Sequence, residues 1–300
     1  MRHRFRGEGA IPRLEVLGAA FLFSTGGAAI KATTLTPWQV AGGRSGVAAI
    51  ALALMLPAAR RSLSWRTIPV ALAYAATLLT FAIANKLTTS AATIYLQSTG
   101  PFYLLLLSPL LLGERIRRHD LVFLAALAFG MALLFTGNPP AQATAPNPAL
   151  GNLLAAGSGL FFALTIAGLR WLARDERPGE ARGAGAALLG NLLAFVMTLP
   201  MALPVAHATA GDAVAVAYLG TFQIALAYVL LTRALRAVPA FEASLLLLLE
   251  PTLNPLWSWL MHGENPGGWT LAGGAVIIGA TLAHSWWAAS CEQIAPRIDS

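Results

Sequence analysis

Glu250 is the residue best placed to do chemistry, because it is an acidic side chain in the middle of a long apolar stretch. The stretch runs from Phe241 to Glu264 as FEASLLLLLEPTLNPLWSWLMHGE, with Pro251 directly after the glutamate. A carboxylate in hydrocarbon is costly and by default indicates a functional or tightly packed polar site. Glu250 is therefore a candidate for binding a substrate ammonium group or a coupling proton. A hydrogen bond to a neighbouring helix is the structural alternative.

Helical spacing places further polar and aromatic residues beside Glu250. Asn254 and Trp257 follow it at i+4 and i+7, so the three residues share one stripe of a helix. Other candidates for substrate binding are polar-tipped side chains that suit an amphipathic solute: Tyr74, Tyr95, Gln97, Thr99, Gln223 and Tyr228. Bonding across helices is the structural alternative for each of them. Pro101 and Pro251 are candidate hinges, with packing kinks as the alternative.

Motifs for catalysis are missing from this sequence. It contains no HExxH, Walker A or GxSxG pattern, its five histidines are dispersed, and its single cysteine is Cys291. We therefore predict no catalytic residue, no metal site and no cofactor. An intramembrane enzyme stays open as an alternative from another class, as does a channel or receptor-like subunit, although pores usually show charge rings or filter loops.

The composition indicates an all-α membrane protein. Hydrophobic residues make up 57% of the 300 residues and charged residues only 11%, whereas soluble domains carry about 25% charged residues. At about 20 apolar residues per span, the chain divides into ten predicted transmembrane helices: 14–31, 37–56, 67–86, 91–112, 120–137, 150–172, 184–204, 211–233, 240–261 and 268–288. The alternative is that the N-terminal segment MRHRFR and its apolar continuation form a cleaved secretory signal, which would leave nine transmembrane helices.

The basic residues support ten spans with both termini in the cytoplasm. Apart from Lys31, Arg44 and Lys86, the lysines and arginines, 17 of the 20, fall in the termini or in alternate connections, as the positive-inside rule predicts. They are scattered rather than gathered on one face, so no nucleic-acid partner is predicted. Lys31 and Lys86 lie near external helix ends and are expected to snorkel toward water. Arg44 lies deeper and should pair with a carbonyl or another polar group.

An internal repeat relates the two halves of the chain. Adding 150 to a position lays Pro101 on Pro251 and Glu114 on Glu264. Because each half then contains five spans, an odd number, the second half must enter the membrane in the opposite orientation to the first. The sequence therefore predicts two inverted five-helix repeats.

The linker between the repeats is recognisable from its composition. The segment GNPPAQATAPNPAL is uncharged and rich in Pro, Ala and Asn, as expected of an external connection. We therefore predict a first five-helix repeat at 1–138, an external linker at 139–149 and a second five-helix repeat at 150–300.

Several of these features together resemble a known family. Lys31 at the end of span one, PWQVAGGR opening span two, and the paired blocks PFYLLLLSPLLLGE and PTLNPLWSWLMHGE are similar to EamA-type transporters of the drug/metabolite transporter superfamily. Within it, the chain most resembles amino-acid exporters similar to YddG. The resemblance implies ten helices in an inverted repeat around a central cavity.

What the resemblance implies about function is a secondary transporter. On this basis we expect export of small organic metabolites, above all aromatic and neutral amino acids, from the cytoplasm by alternating access. Export of drugs or of other metabolites such as nucleosides is the alternative. The expected partners are the small-molecule substrate and the lipid bilayer of a bacterial inner membrane. The oligomeric state stays open, with a monomer as one possibility.

Overall fold

The structure is a computed structural model that describes residues 10–111, 118–136, 141–174, 180–234, 238 and 246–294. Within these ranges the chain is helical, and no β-strand occurs there besides one isolated bridge between Gln142 and Ala145. The helices in chain order are α1 (Ala10–Ser24), α2 (Gly26–Lys31), α3 (Pro37–Met55), α4 (Pro57–Arg61), α5 (Thr67–Leu87), α6 (Ser90–Gln97), α7 (Gly100–Leu111), α8 (Arg118–Thr136), α9 (Pro148–Arg174), α10 (Arg182–Ala202), α11 (Ala210–Tyr218), α12 (Ala227–Ala234), α13 (Leu249–His262) and α14 (Gly268–Ile294). A π-helical segment, Leu219–Leu226, joins α11 to α12.

The all-helical prediction is confirmed, and helices fall within each of the ten predicted spans. Among the described residues, five helical stretches are long and apolar enough to cross a membrane: Ile11–Lys31, Thr67–Leu87, Pro148–Leu169, Arg182–Ala202 and Ala210–Ala234. Asp120–Thr136 and Gly268–His284 are shorter apolar helices. The protein is therefore a multi-pass membrane protein, while the count of ten crossings stays a prediction.

The outer surface of the bundle is apolar. Leu54 is 71% exposed, Val122 72%, Val214 70% and Trp259 58%, and these residues come from different helices. Large apolar side chains at such exposure would be unfavourable in water. A lipid environment around the bundle removes this penalty.

Two of the predicted spans are interrupted within their length. In the first, the hydroxyls of Ser24 and Thr25 donate to the carbonyls of Phe21 and Leu22, each at 2.7 Å, at the point where α1 ends and α2 begins. In the fourth, the hydroxyl of Thr99 donates to the carbonyl of Leu96 at 2.6 Å between α6 and α7. Hydroxyls that bond backward to the helix backbone compete with the helical ladder. We call the first interruption the Thr25 break.

Helix caps fix several ends of the bundle. Thr36 and Gln39 form a capping box at the start of α3, directly before Pro37, and Thr209 and Asp212 form another at the start of α11. Such caps satisfy backbone N–H groups that would otherwise lack a partner. At the other end of α13, Gly263 has φ +62°, a conformation that glycine adopts without steric penalty.

The helices pack around one large apolar core. α5 contacts α9 and α10, α10 contacts α3, α8 contacts α14, and α1 contacts both α12 and α13. The main buried cluster draws large side chains from four of these helices: Val40, Leu79, Phe81, Leu127 and Ile277. The short helix α6 contacts α9, α13 and α14. It therefore joins the end of the first half to the helices that close the second.

Candidate functional site

The Thr25 break faces α13 directly. The indole N–H of Trp257 donates to the Ser24 hydroxyl at 2.9 Å, and its ring meets the Phe21 ring edge-on at a centroid distance of 5.8 Å. One turn later, a ring nitrogen of His262 lies 2.8 Å from the carbonyl oxygen of Ala28. Because Ser24 uses its own donor within α1, its oxygen is free to accept from the indole. The break thus gives α13 a polar place to dock.

Asn254 is the most unusual polar residue beside this break. Its side chain is wholly buried, and neither its amide oxygen nor its amide nitrogen has a hydrogen-bond partner among the described residues. A Cβ added to Gly27 would lie 2.8 Å from the Asn254 oxygen and 2.8 Å from the Ser90 hydroxyl, so glycine lets both approach. The Ser90 and Ser258 hydroxyls are also buried and unbonded in the described part of the chain. An unsatisfied buried polar group costs about 1–3 kcal/mol, which makes these atoms candidates for ligand contacts.

Gln223 approaches the same break from another helix. It lies in the π-helical segment, is 5% exposed, and its side-chain oxygen has no partner within the described ranges. Its amide nitrogen would be 2.8 Å from a Cβ on Gly26. Single-turn π-helices occur frequently at functional sites. We call Ser90, Gln223 and Asn254, which surround Gly26 and Gly27, the polar cluster.

Glu250 lies one helical turn before Asn254 on α13. It is partly buried, and among the described residues its carboxylate has neither a hydrogen bond nor an ion pair. The structural alternative from the sequence, a bond to a neighbouring helix, therefore does not occur within that part of the chain. A carboxylate so placed in an apolar helix stays available to a cation.

Two tyrosines that the sequence analysis named as substrate-binding candidates lie together away from the polar cluster. The rings of Tyr74 and Tyr228 meet edge-on at a centroid distance of 6.4 Å, and the Tyr228 hydroxyl donates to the carbonyl of Gly183 at 3.1 Å. Arg44 lies next to Tyr74 and is 1% exposed; its guanidinium donates to the carbonyl of Leu78 at 2.7 Å. The predicted pairing of Arg44 with a carbonyl is thereby confirmed.

The three candidates on the fourth span each make a contact within the bundle. The Tyr95 ring lies against Gly274 of α14, where a side chain at that glycine would collide with it. The Gln97 amide donates to the Ser158 hydroxyl at 2.9 Å. The Thr99 hydroxyl is used by the backbone of its own helix. The role of these three residues in substrate binding stays a prediction.

The two candidate hinges lie where helices begin. Pro101 is the second residue of α7, directly after the interruption at Ser98 and Thr99. Pro251 is buried in the first turn of α13, and Pro255 lies further along the same helix. The residues preceding this part of span nine, 239–245, lie outside the described residues, as do Gly113 and Glu114. A hinge role for either proline stays a prediction.

Lys31 differs from its sequence prediction. It does not reach water, because it forms an ion pair with Glu264 at 2.9 Å in which both side chains are 2% exposed. Its ammonium also donates to the carbonyls of Thr88, at 2.8 Å, and Thr144. The prediction that Lys31 snorkels is therefore wrong. The sequence signal that could have shown the pair is the acidic residue closing span nine on the side where span one ends.

Other polar contacts tie the same end of the bundle. The Lys86 ammonium donates to the carbonyl of Thr33 at 2.6 Å. The backbone N–H of Thr34 donates to Asp212 at 2.6 Å, and its hydroxyl donates to the second oxygen at 2.8 Å. The connections after α2, α5, α10 and α13, and the segment holding Thr144, thus join in one polar network. In the described ranges no group of three or more His, Cys, Asp or Glu residues could hold a metal ion.

The fold and the polar cluster together define a multi-pass helical membrane protein whose interior offers unbonded polar groups to a small solute. Residues 13–136 and 149–286 each match the EamA-like transporter family, and the chain belongs to that family. Its members are typically membrane transporters of small metabolites, within the drug/metabolite transporter superfamily. The two matches confirm the repeated architecture.

Comparison with other proteins adds evidence on the fold. No curated protein matches this chain, whereas 13 solved chains do. One is titled "Crystal structure of protein"; it is similar with a TM-score of 0.60 and 20% identity, over 90% of this chain and 96% of that chain. At that identity the likeness shows the fold alone.

Proposed function

We propose that this protein is a secondary carrier that exports small amphipathic solutes, most of all aromatic and neutral amino acids, from the cytoplasm. The observation that carries the proposal is the polar cluster: the Asn254 amide, wholly buried, with both of its polar atoms unbonded in the described residues. It lies inside a chain of a transporter family. A ligand with adjacent hydrogen-bond donors and acceptors would satisfy these atoms.

The groups around Asn254 match the parts of an amino acid. Glu250, without a partner in the described part of the chain, is suited to an ammonium group. The amides of Asn254 and Gln223 can donate to a carboxylate or accept from an ammonium. Trp257 and Phe21 offer aromatic surface to an apolar side chain. This combination favours an amino acid over a nucleoside or a purely apolar drug.

Alternating access is the transport mode that an inverted repeat favours. We infer five spans in each half with opposite orientations, both termini in the cytoplasm, and a bacterial inner membrane as the location. The polar network around Lys31, Lys86 and Asp212 ties together connections that the sequence predicts to be external. This supports a carrier that is closed on its external side in the present structure.

The test of substrate class is counterflow in proteoliposomes loaded with one amino acid and offered a panel of amino acids, nucleosides and cationic drugs. We expect exchange of aromatic and neutral amino acids.

The variant Glu250→Gln keeps size and hydrogen bonding but removes the charge, so transport should fall at least tenfold in protein that still purifies folded. Thr252→Ala is the matched control, because Thr252 is exposed on the same helix and its hydroxyl bonds only the Leu248 carbonyl.

Two outcomes would contradict the proposal. Exchange of nucleosides or drugs without exchange of amino acids would assign another substrate class to the same carrier. Wild-type rates in a stable Glu250→Gln protein would remove the carboxylate from the site, leaving it a packing role.

A further inference from the structure

The ammonium group of Lys31 is held in a cage of three oxygen atoms. These are Glu264 Oε1 at 2.9 Å, the Thr88 carbonyl oxygen at 2.8 Å, and the Thr144 carbonyl oxygen. A primary ammonium has three N–H donors and no acceptor; the two carbonyls each accept a hydrogen bond from Lys31, while Glu264 Oε1 contacts the ammonium as an ion pair and has no hydrogen bond among the described residues. We refer to these three oxygens as the ammonium cage.

The cage does not depend on Lys31 for its shape. The second carboxylate oxygen of Glu264 accepts the backbone N–H of Ser90 at 2.8 Å, at the start of α6. The Thr88 hydroxyl donates to the Asn152 side chain at 2.7 Å, which ties that segment to α9. Lys31, by contrast, enters from α2, a helix of six residues that the Thr25 break separates from α1. Release of the contacts that His262, Lys86 and Asp212 make with α2 and the segment after it would let the lysine leave with α2 while the oxygens stay in place.

The cage adjoins the polar cluster. Ser90 of the polar cluster connects the two, since its N–H binds the second carboxylate oxygen of Glu264 while its unbonded hydroxyl lies beside Asn254 and Gly27. Gly27 is one helical turn before Lys31 on α2. Buried polar atoms without partners in the described residues thus continue from the Asn254 amide to the edge of the cage.

We propose that the ammonium cage is a binding site for a primary ammonium group, which Lys31 occupies in this structure and the ammonium group of the transported solute occupies during release. The proposal rests on the proposed function only in taking a solute with an ammonium group. If α2 moves away and nothing replaces Lys31, the Glu264 carboxylate is left buried and unpaired, which is strongly unfavourable. A solute ammonium that fills the cage removes this penalty, so opening on the external side is favoured when the carrier is loaded.

The direct test is chemical rescue of Lys31→Ala in purified protein. This substitution removes a propylammonium fragment, so propylammonium is the matched probe, and tetramethylammonium, which has no N–H donor, is the control. We expect propylammonium at ten times its dissociation constant to raise the melting temperature of Lys31→Ala by about 3 °C. It should shift the wild type far less, because there it must displace Lys31, and it should leave the double variant Lys31→Ala, Glu264→Gln unchanged.

A second measurement keeps Lys31 in place. Ser90→Cys, made in a Cys291→Ser background, puts a thiol under the cage, where an impermeant alkylating reagent reaches it from outside only if the external side opens. Propylammonium should speed alkylation severalfold by displacing Lys31, and tetramethylammonium should not. If Lys31→Ala does not fold, the alkylation result alone decides whether the cage binds a primary ammonium group.

Specific results of these two experiments would overturn the proposal. Equal effects of propylammonium and tetramethylammonium, or none in the folded variants, would reduce the cage to a structural ion pair. Equal stabilisation of Lys31→Ala by sodium would make it a general cation site instead. Neither experiment measures transport, so their failure is distinct from a failure of the counterflow test.

Discussion

Removing one charge of the Lys31–Glu264 pair should destabilise the protein more than removing both. Glu264→Gln leaves the Lys31 ammonium buried with only the carbonyls of Thr88 and Thr144. Lys31→Met leaves the Glu264 carboxylate with only the N–H of Ser90. The double variant buries no charge at this position.

The magnitude follows from burial. Both side chains are 2% exposed, and breaking a buried pair by removing one partner costs about 3–5 kcal/mol. Because carbonyl or N–H partners remain, the loss in free energy of unfolding of each single variant should be near the lower limit of this range, at about 3 kcal/mol. A neutral replacement of both partners is frequently tolerated, so the free energy of unfolding of the double variant should fall by about 2 kcal/mol. The coupling energy between the two single substitutions is then about 4 kcal/mol.

The assay is reversible unfolding of purified protein in mixed micelles with increasing SDS, followed by circular dichroism for the four proteins of the double-mutant cycle. Glu15→Gln is the control, because Glu15 pairs with Arg233 at 3.8 Å and the arginine side chain is 65% exposed. Its effect should stay below about 1 kcal/mol. Additive losses in the double variant, or single losses as small as that of the control, would refute the buried-pair argument.

Two further predictions concern orientation and packing. Single cysteines at 60–66 should be labelled from the cytoplasmic side and those at 140–147 from the external side, in a Cys291→Ser background; labelling from one side only would contradict the inverted repeat. Gly27→Ala should lower stability by about 1–3 kcal/mol, because its Cβ would lie 2.8 Å from the Asn254 oxygen and the Ser90 hydroxyl. Gly279→Ala is its control, since a Cβ there meets nothing within 4 Å and the change should stay within about 0.5 kcal/mol; equal losses in both variants would remove the steric explanation.

The features that could be predicted from the sequence are those with short-range periodic signals. Apolar runs of about 20 residues indicate the helices, and i+4 and i+7 spacing places Asn254 and Trp257 on one face of span nine. The structure has both residues facing the Thr25 break, one through buried amide atoms near Gly27 and the other through its bond to Ser24.

The contacts that could not be predicted join positions far apart in the chain. Lys31 and Glu264 share no local pattern, and the snorkelling expected of Lys31 was wrong because backbone carbonyls and a carboxylate replace water around it. Tyr95 has the residue type of a binding residue, yet its ring packs where Gly274 leaves space. Which partner such a side chain meets depends on helix packing, which periodicity within one helix does not report.

The π-helical segment affects the angular position of the side chains that follow it in the eighth predicted span. A π-turn accommodates an extra residue relative to an α-helix, so α12 is rotated relative to α11 from where an unbroken α-helix would place it. Deleting one residue between Leu219 and Leu226 and restoring α-helical winding would leave the later side chains in about their present angular positions, whereas keeping all residues in unbroken α-helical winding would turn each later side chain by about 100°. Tyr228 would then lose both Tyr74 and the Gly183 carbonyl. The angular position of α12 is thus set by the π-helical winding around Gln223.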